Sequence, residues 1–351
     1  MSAYSKKRFH VVNLPHTSTT RSYSSCAFTE KVRKFCIMMN ACGHDVFLYG
    51  GPDNEAPCTE HIPCITEELQ KLALGDDHYT QVDFNPLTPL WTFFNSQAIQ
   101  AISKRIKQKD IICIIGGLSQ KPIADAFPRN PSVEFGIGYH GIFSKYKVFE
   151  SYAWMHTHYG ARSSSTDVDG DQRDTVIPSY IDVDEFTYVD KPEDYVAYVG
   201  RMIDRKGISI ASSACSMAGV KLVTAGPGIG MDGIEHRGEL DPPSRDTFMG
   251  KAHALIAPTI YIEPFGTVAV EAMACGTPVI CSDWGAFTET VIHGFTGFRC
   301  RTTEDFAQAI NKITTLDRKA ISDYSRNRYG LESVSVMYDK YFDFISNHAF
   351  R

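Results

Sequence analysis

Two carboxylates, Glu263 and Glu271, stand on either side of a predicted helix start. Pro264 and Gly266 open that helix, and apolar residues follow them. The first amides of a helix have no partner within it, so the amides around Gly266 and Thr267 are predicted to bind a phosphate. Glu263 in the preceding loop and Glu271 on the second turn would accept hydrogen bonds from sugar hydroxyls. This segment alone would therefore hold a diphosphate between two sugars.

A second group of polar residues follows a predicted strand over residues 195–199. Arg201 comes directly after Gly200, and Lys206 directly before Gly207. An Arg side chain offers a planar fork and a Lys side chain a point charge, and together they suit a diphosphate. Open parallel sheets bind ligands at the carboxyl ends of their strands. Both cations are predicted to lie at such an end.

Short apolar runs alternate with helical periodicity along the chain, which is typical of βαβ units and a parallel sheet. The first half predicts strands at residues 9–14, 45–49, 111–115 and 132–139, with helices at 28–42, 96–108 and 148–158. The second half predicts strands at residues 195–199, 221–224, 254–257 and 278–281, with helices between them. The pattern therefore predicts an α/β fold of two doubly wound domains.

The predicted domain limits are 1–178, 179–330 and a final segment, 331–351. A length of 351 residues favours two domains, because single cores stop growing near about 250–300 residues. The final segment carries large apolar residues at helical spacing, and no strand follows it. We expect it to form a helix that crosses back and packs on the first domain.

Charge and hydropathy exclude several classes of protein. A formal net charge of -6 argues against a dedicated nucleic-acid binder. No apolar run approaches the roughly 20 residues that a membrane-spanning helix needs, and the first apolar stretch is too short for a signal peptide. We therefore expect a soluble, cytoplasmic protein, with peripheral membrane contact left open. The ten cysteines show no zinc-ligand spacing.

The motifs of the second domain, taken together, resemble those of a known enzyme family. GR-x4-KG at residues 200–207, E-x7-E at 263–271 and WGAFTETVIHGFTGF at 284–298 are similar to the retaining glycosyltransferases of family 4. The resemblance implies the GT-B fold, with two facing Rossmann-like domains and a cleft between them. It also implies that Glu263 contacts the donor sugar and Glu271 the ribose.

The same resemblance assigns roles to three further residues. Arg201 and Lys206 look like the diphosphate clamp that replaces a metal ion in the family, so neither a metal nor another cofactor is expected. In the first domain, YHG at residues 139–141 stands where family members often carry an active-site histidine. His140 and Glu263 are therefore the candidate catalytic residues. The paired glycines usual in the first loop are replaced by HTSTTRSYSS at residues 16–25.

The implied activity is transfer of a sugar from a nucleoside-diphosphate sugar to an acceptor hydroxyl, with retention and without a metal. The donor would be of the GDP-mannose or UDP-glucose class, and the acceptor a carbohydrate, a glycoprotein or a glycolipid. Two alternatives stay open: a sugar-nucleotide epimerase with the same fold, and a non-catalytic carbohydrate-binding protein with a vestigial donor cleft. The oligomeric state is left open as well.

Overall fold

The chain folds into two compact units. A computed structural model describes residues 5–75, 78–79, 82–163 and 167–349. The ends of the predicted domains, at residues 1–4 and 350–351, lie outside the described part. Unit 1 consists of Met1–Glu150, Ser163–Pro178 and Val334–Arg351, and unit 2 of Ser151–Arg162 and Ser179–Ser333.

Unit 1 is built on a parallel sheet with helices on its connections. The described strands are Arg8–Val12 (β1), Asp45–Gly50 (β2), Glu60–Pro63 (β3), Ile111–Ile114 (β4), Ser132–Ile137 (β5), Tyr146–Phe149 (β6) and Asp174–Val176 (β7). Their order is β3-β2-β1-β4-β5-β6-β7, so the winding reverses between β1 and β4, where doubly wound sheets bind ligands. The described helices are Ala27–Ala41 (α1), Glu67–Leu74 (α2), Pro89–Ser103 (α3) and Lys121–Ala126 (α4).

The core of unit 1 lies on both faces of β1. This strand is apolar except for Arg8 and for His10, which is fully buried. The His10 ring nitrogens lie 2.9 Å from the Tyr49 hydroxyl and 2.9 Å from the Asp110 carboxylate. Because both ring nitrogens have partners, the burial of this polar side chain is compatible with a stable core.

The last helix of the chain, Leu331–Ala349 (α12), belongs mostly to unit 1. The ring of Phe342 lies 4.5 Å from that of Phe9 on β1. The Asp339 carboxylate lies 2.6 Å from a ring nitrogen of His44. The predicted crossing of the last helix back to the first domain is thereby confirmed.

Unit 2 repeats the same architecture. Its described strands are Val196–Val199 (β8), Leu222–Ala225 (β9), Glu235–His236 (β10), Ala254–Ala257 (β11), Val279–Ser282 (β12) and Gly297–Cys300 (β13), all parallel, in the order β10-β9-β8-β11-β12-β13. The described helices are Tyr152–Arg162 (α5), Ile208–Ala218 (α6), Pro242–Lys251 (α7), Thr267–Ala274 (α8), Phe287–Thr290 (α9), Thr303–Lys312 (α10) and Arg318–Tyr329 (α11). The four strands predicted for this half are confirmed as β8, β9, β11 and β12.

The helix predicted over residues 148–158 is wrong in its first turn. Residues 146–149 instead form β6, which pairs with both β5 and β7. The helix α5 begins only at Tyr152. A four-residue buried strand is too short to show a period, so its apolar residues merged with those of the helix that follows.

The structure also groups residues 151–162 with unit 2, although the predicted limit placed them in the first domain. The Ser151 hydroxyl donates to the Pro264 carbonyl at 2.6 Å. The Glu289 carboxylate accepts from the amides of Tyr152 and Ala153, at 2.9 and 2.8 Å. These bonds satisfy the first amides of α5 with a carboxylate, which also suits the helix dipole.

None of the helices in the described part of the chain combines the length and the apolar character needed to cross a bilayer.

Candidate functional site

Helix α8 begins with uncapped amides. Gly266 is its N-cap residue, with a φ of 79°, and it offers no side-chain acceptor to the first turn. That left-handed conformation favours glycine, and a Cβ atom there would also lie 2.5 Å from the ring of Phe287. The first N–H groups of α8, beginning at Thr267, are therefore left for solvent or for a ligand.

Glu263 is held in the loop before α8 by two donors. The Lys206 ammonium lies 2.9 Å from its Oε2 atom, and the Tyr261 hydroxyl donates to the same atom at 2.6 Å. Burial raises the pKa of Tyr261, and the charge of Glu263 raises it further. Tyr261 thus keeps its proton and acts as a donor. Hydrogen bonds of this kind to an ionised acceptor are short and strong.

Lys206 reaches Glu263 because two loops at the carboxyl ends of β8 and β11 touch each other. Gly207 has a φ of 75°, and a Cβ atom there would lie only 1.9 Å from the Pro258 carbonyl oxygen. The Ile260 amide donates to the Arg205 carbonyl at 2.9 Å. This close backbone approach excludes any larger residue at position 207, and it places Lys206 beside the second loop.

Arg201 lies at the end of β8 with an exposed side chain. Its carbonyl accepts a hydrogen bond from the Tyr198 hydroxyl at 2.9 Å. Its positive charge lowers the pKa of both Tyr198 and Tyr261, against the larger effect of burial. Within the described residues its guanidinium takes part in no ion pair, so its charge is available to a ligand.

Glu271 is nearly buried on α8 and contacts a different cation. The Arg245 Nη2 atom, from α7, lies 3.3 Å from its Oε1 atom. The Nε atom of Arg245 is buried and has no hydrogen-bond partner among the described residues. The structure therefore brings Lys206 and Glu263 together, and it pairs Glu271 with an arginine that the motifs did not indicate.

Tyr261 and Arg245 were not predicted from the sequence as site residues. Two cations also lie over the ring of Tyr261: the Arg205 guanidinium and the Lys206 ammonium are 4.7 and 5.0 Å from its centre. In the sequence, Tyr261 lies two positions before Glu263, and this position is the only signal that the sequence offers for their contact. Nothing in the sequence relates Arg245 to Glu271.

His140 lies in unit 1, in the loop after β5, and its side chain is exposed. The buried carboxyl of Glu134, on β5, holds this loop. Its Oε2 atom accepts from the amides of Phe143 and Ser144, at 2.8 and 2.7 Å. Burial raises the pKa of Glu134 to about 7, although these two bonds act in the opposite direction. The charge on Glu134 is therefore costly, but its geometry positions the loop that carries His140.

A Glu134→Gln variant should become more stable, relative to the natural protein, as the pH rises. The folded pKa of Glu134 lies above its ordinary value of 4.5, so the folded state binds more protons and loses stability between about pH 4.5 and 7. Gln does not titrate. The free energy of unfolding of the variant, relative to that of the natural protein, should therefore rise by up to about 3 kcal/mol. Urea unfolding at pH 5 and pH 8 measures it, with the exposed Glu68→Gln as the control. Equal gains for both variants would contradict the assignment.

Part of unit 2 and the fold of the chain resemble known proteins. Residues 183–328 match the family model described as Glycosyl transferases group 1. Glycogen synthase from Mycobacterium tuberculosis is 35% identical over 136 residues, which cover 33% of this chain and 33% of that protein. The chain thus spans about a third of the length of the curated relatives it matches.

Two solved structures resemble the chain over nearly its whole length. AviGT4, a glycosyltransferase involved in avilamycin A biosynthesis, has a TM-score of 0.68 at 18% identity and covers 97% of this chain and 98% of its own. HepE from Anabaena, in complex with UDP-glucose, has a TM-score of 0.65 at 15% identity, with 97% and 99% covered. The chain therefore has the GT-B fold, and its residues 183–328 resemble a domain of the glycosyl transferases group 1 type.

Proposed function

We propose that the protein is a retaining glycosyltransferase of family 4, which transfers a sugar from a nucleoside-diphosphate sugar to an acceptor hydroxyl. The observation that carries this proposal is the uncapped start of α8, with Glu263 and Lys206 before it and Glu271 within it. The match of residues 183–328 to a glycosyl transferases group 1 domain supports it. So does the likeness in fold to a structure that contains UDP-glucose.

The diphosphate of the donor would accept hydrogen bonds from the backbone amides at Gly266 and Thr267. Lys206 keeps two further N–H donors when one is bonded to Glu263, because an ammonium carries three. It can therefore hold Glu263 and a phosphate oxygen at once. Arg201, exposed at the end of β8, supplies a second positive charge for the same group. Glu271 would accept from the ribose hydroxyls, and Glu263 from the donor sugar.

In the transfer step, the bond between the anomeric carbon and the diphosphate oxygen breaks, and the acceptor oxygen bonds to that carbon on the same face. The proton of the acceptor hydroxyl passes to the departing diphosphate. Positive groups fixed before the reaction stabilise the charge that develops there, and Lys206 and the α8 amides have this role. The Oε2 atom of Glu263 accepts hydrogen bonds from both Lys206 and Tyr261. This arrangement suits a hydrogen-bond acceptor better than a nucleophile.

Sugar transfer should persist in EDTA, because Lys206, Arg201 and the α8 amides supply the positive field that a divalent ion otherwise supplies. The measurement is the initial rate of transfer in metal-free buffer with EDTA, and with Mg²⁺ or Mn²⁺ added back. The expected rates agree within about twofold, which corresponds to less than half a kcal/mol. A rate that is abolished by EDTA and restored by the ion would contradict metal independence.

A donor screen followed by product analysis tests the proposed activity. Calorimetry with GDP-mannose, UDP-glucose and UDP-GlcNAc identifies the donor class, and NMR of the product after incubation with acceptors reports the anomeric configuration. A new glycoside with retained configuration and free nucleoside diphosphate is expected. An isomerised donor without transfer would identify an epimerase, and binding without consumption of the donor would identify a carbohydrate-binding protein.

A further inference from the structure

Unit 1 contains a cavity of about 510 Å³ whose walls include the loops after β4 and β5. This volume is in the usual range for small-molecule sites. The cavity lies beside the switch point of the sheet, where doubly wound folds bind ligands. His140 is one of its lining residues.

Side chains in the described lining are mainly apolar and include neither a carboxylate nor a Lys or Arg. The ring centre of His16 lies 5.5 Å from that of Phe84, in an edge-to-face arrangement. Burial lowers the pKa of His16 to about 4, so it is neutral near pH 7. A phosphate or carboxylate in this cavity would lose its hydration without gaining an ion pair to a Lys or Arg of the described lining, which is costly. The cavity therefore favours an uncharged occupant.

Hydroxyl groups in the lining are already engaged within the protein. The Ser119 hydroxyl donates to the Phe84 carbonyl, and the Tyr139 hydroxyl lies 3.5 Å from the Glu134 carboxylate. A bare sugar ring carries a hydroxyl on most of its carbons, and each one buried without a partner is unfavourable. The walls thus favour a group with few polar atoms over a sugar.

Aromatic rings form much of the wall. Phe28 packs against Phe84 and against Tyr139, in each case at 5.5 Å between ring centres and with tilted planes. Phe84 is 36% exposed and Leu118 is 47% exposed, so both retain apolar surface that a ligand could cover. Aromatic rings associate in tilted and offset arrangements, and a flat ring would extend this cluster.

We propose that this cavity binds the aglycone of the acceptor, an uncharged aromatic ring system to which the reacting hydroxyl is linked. The inference rests on the proposed function and narrows its acceptor from a carbohydrate, glycoprotein or glycolipid to a small molecule with an aromatic body. His140, at the same wall, would lie near the polar end of that molecule.

Calorimetry with three simple glucosides tests the proposal: 4-nitrophenyl, octyl and methyl β-D-glucoside. The 4-nitrophenyl compound should bind about tenfold more tightly than the methyl compound, because it buries a ring, and more tightly than the octyl compound. Leu118→Asn should remove most of this gain. The matched control Leu87→Asn changes a leucine that is 84% exposed and outside the lining, and it should have no effect.

A second variant, Phe84→Leu, keeps the apolar surface but removes a flat ring, so it should weaken the 4-nitrophenyl compound and leave the octyl compound unchanged. Equal binding of the methyl and aryl glucosides, or tighter binding of the octyl glucoside, would overturn the aromatic assignment. Nucleoside diphosphate is measured in parallel on every variant. If it did not bind while the aryl glucoside did, the proposed transferase function would fail and the aromatic site would stand.

Discussion

A Lys206→Ala variant is expected to bind nucleoside diphosphate about tenfold to a hundredfold more weakly than the natural protein, and the bare nucleoside equally well. The loss of one hydrogen bond to a charged group costs roughly 1.5–3 kcal/mol. Only a ligand with phosphates gains from the ammonium, so the effect should follow the phosphates. The Tyr261 hydroxyl still donates to Glu263 in this variant, so the carboxylate keeps one partner. Calorimetry with nucleoside, monophosphate and diphosphate measures the three affinities.

Lys221→Ala is the matched control for this change. Lys221 is an exposed lysine of unit 2, and its ammonium pairs with Glu235 on the surface. Exposed pairs contribute little to stability, so this variant should bind all three ligands as the natural protein does. Equal weakening of nucleoside and diphosphate by Lys206→Ala would show that the change disturbs the loop rather than removing a phosphate contact.

A Glu263→Gln variant should transfer the sugar about tenfold to a hundredfold more slowly, with an almost unchanged affinity for free nucleoside diphosphate. The substitution keeps the shape but removes the charge that strengthens hydrogen bonds to sugar hydroxyls, at a cost of roughly 1.5–3 kcal/mol per bond. Gln still accepts from Tyr261. Free diphosphate lacks the sugar, so it does not report on this contact.

The corresponding change on α8 separates the two glutamates. Glu271→Gln should weaken free nucleoside diphosphate as well as the sugar donor, because the ribose belongs to both ligands. The measurements are the transfer rate and the calorimetric affinities for diphosphate and donor, on both variants. If Glu263→Gln weakened free diphosphate as much as Glu271→Gln does, the donor sugar would not lie beside Glu263.

In the second half of the sequence, β8, β9, β11 and β12 were predicted because several local signals marked their positions, whereas the short β10 and β13 were not predicted. The buried run of residues 254–257 is followed directly by a proline, and the start of α8 combines a proline with a glycine. Gly266 then adopts a left-handed conformation in which few other residues fit. Such residues have one common structural use, so their local pattern was sufficient.

In the first half, short elements with ambiguous periods caused the differences. The helix predicted over residues 96–108 runs instead over Pro89–Ser103. Proline is favoured in the first turn of a helix, but a Pro, Thr and Asn-rich segment also resembles a loop. At the other end, Lys109 has a φ of 76° and marks a turn. Neither the helix start at Pro89 nor the turn at Lys109 shows a periodic pattern in the sequence, so the limits of this helix could not be predicted.

The side-chain contacts within the candidate site could not be predicted. The bond from Tyr261 to Glu263 joins residues only two positions apart, but it depends on the way in which the loop after β11 folds back. Arg245 and Glu271 are 26 positions apart in the sequence, and their pairing depends on the packing of α7 beside α8. Motif spacing contains no information about either distance.

The passage of the chain between its units has a consequence for folding during synthesis. Unit 2 is complete once residue 333 has been made, but unit 1 also needs the helix that begins at Leu331. Until then, Phe9 lacks the ring of Phe342 and His44 lacks the carboxylate of Asp339. Domains usually fold from the N-terminus as the ribosome releases them. Here the unit that is begun first would be the last to close its core.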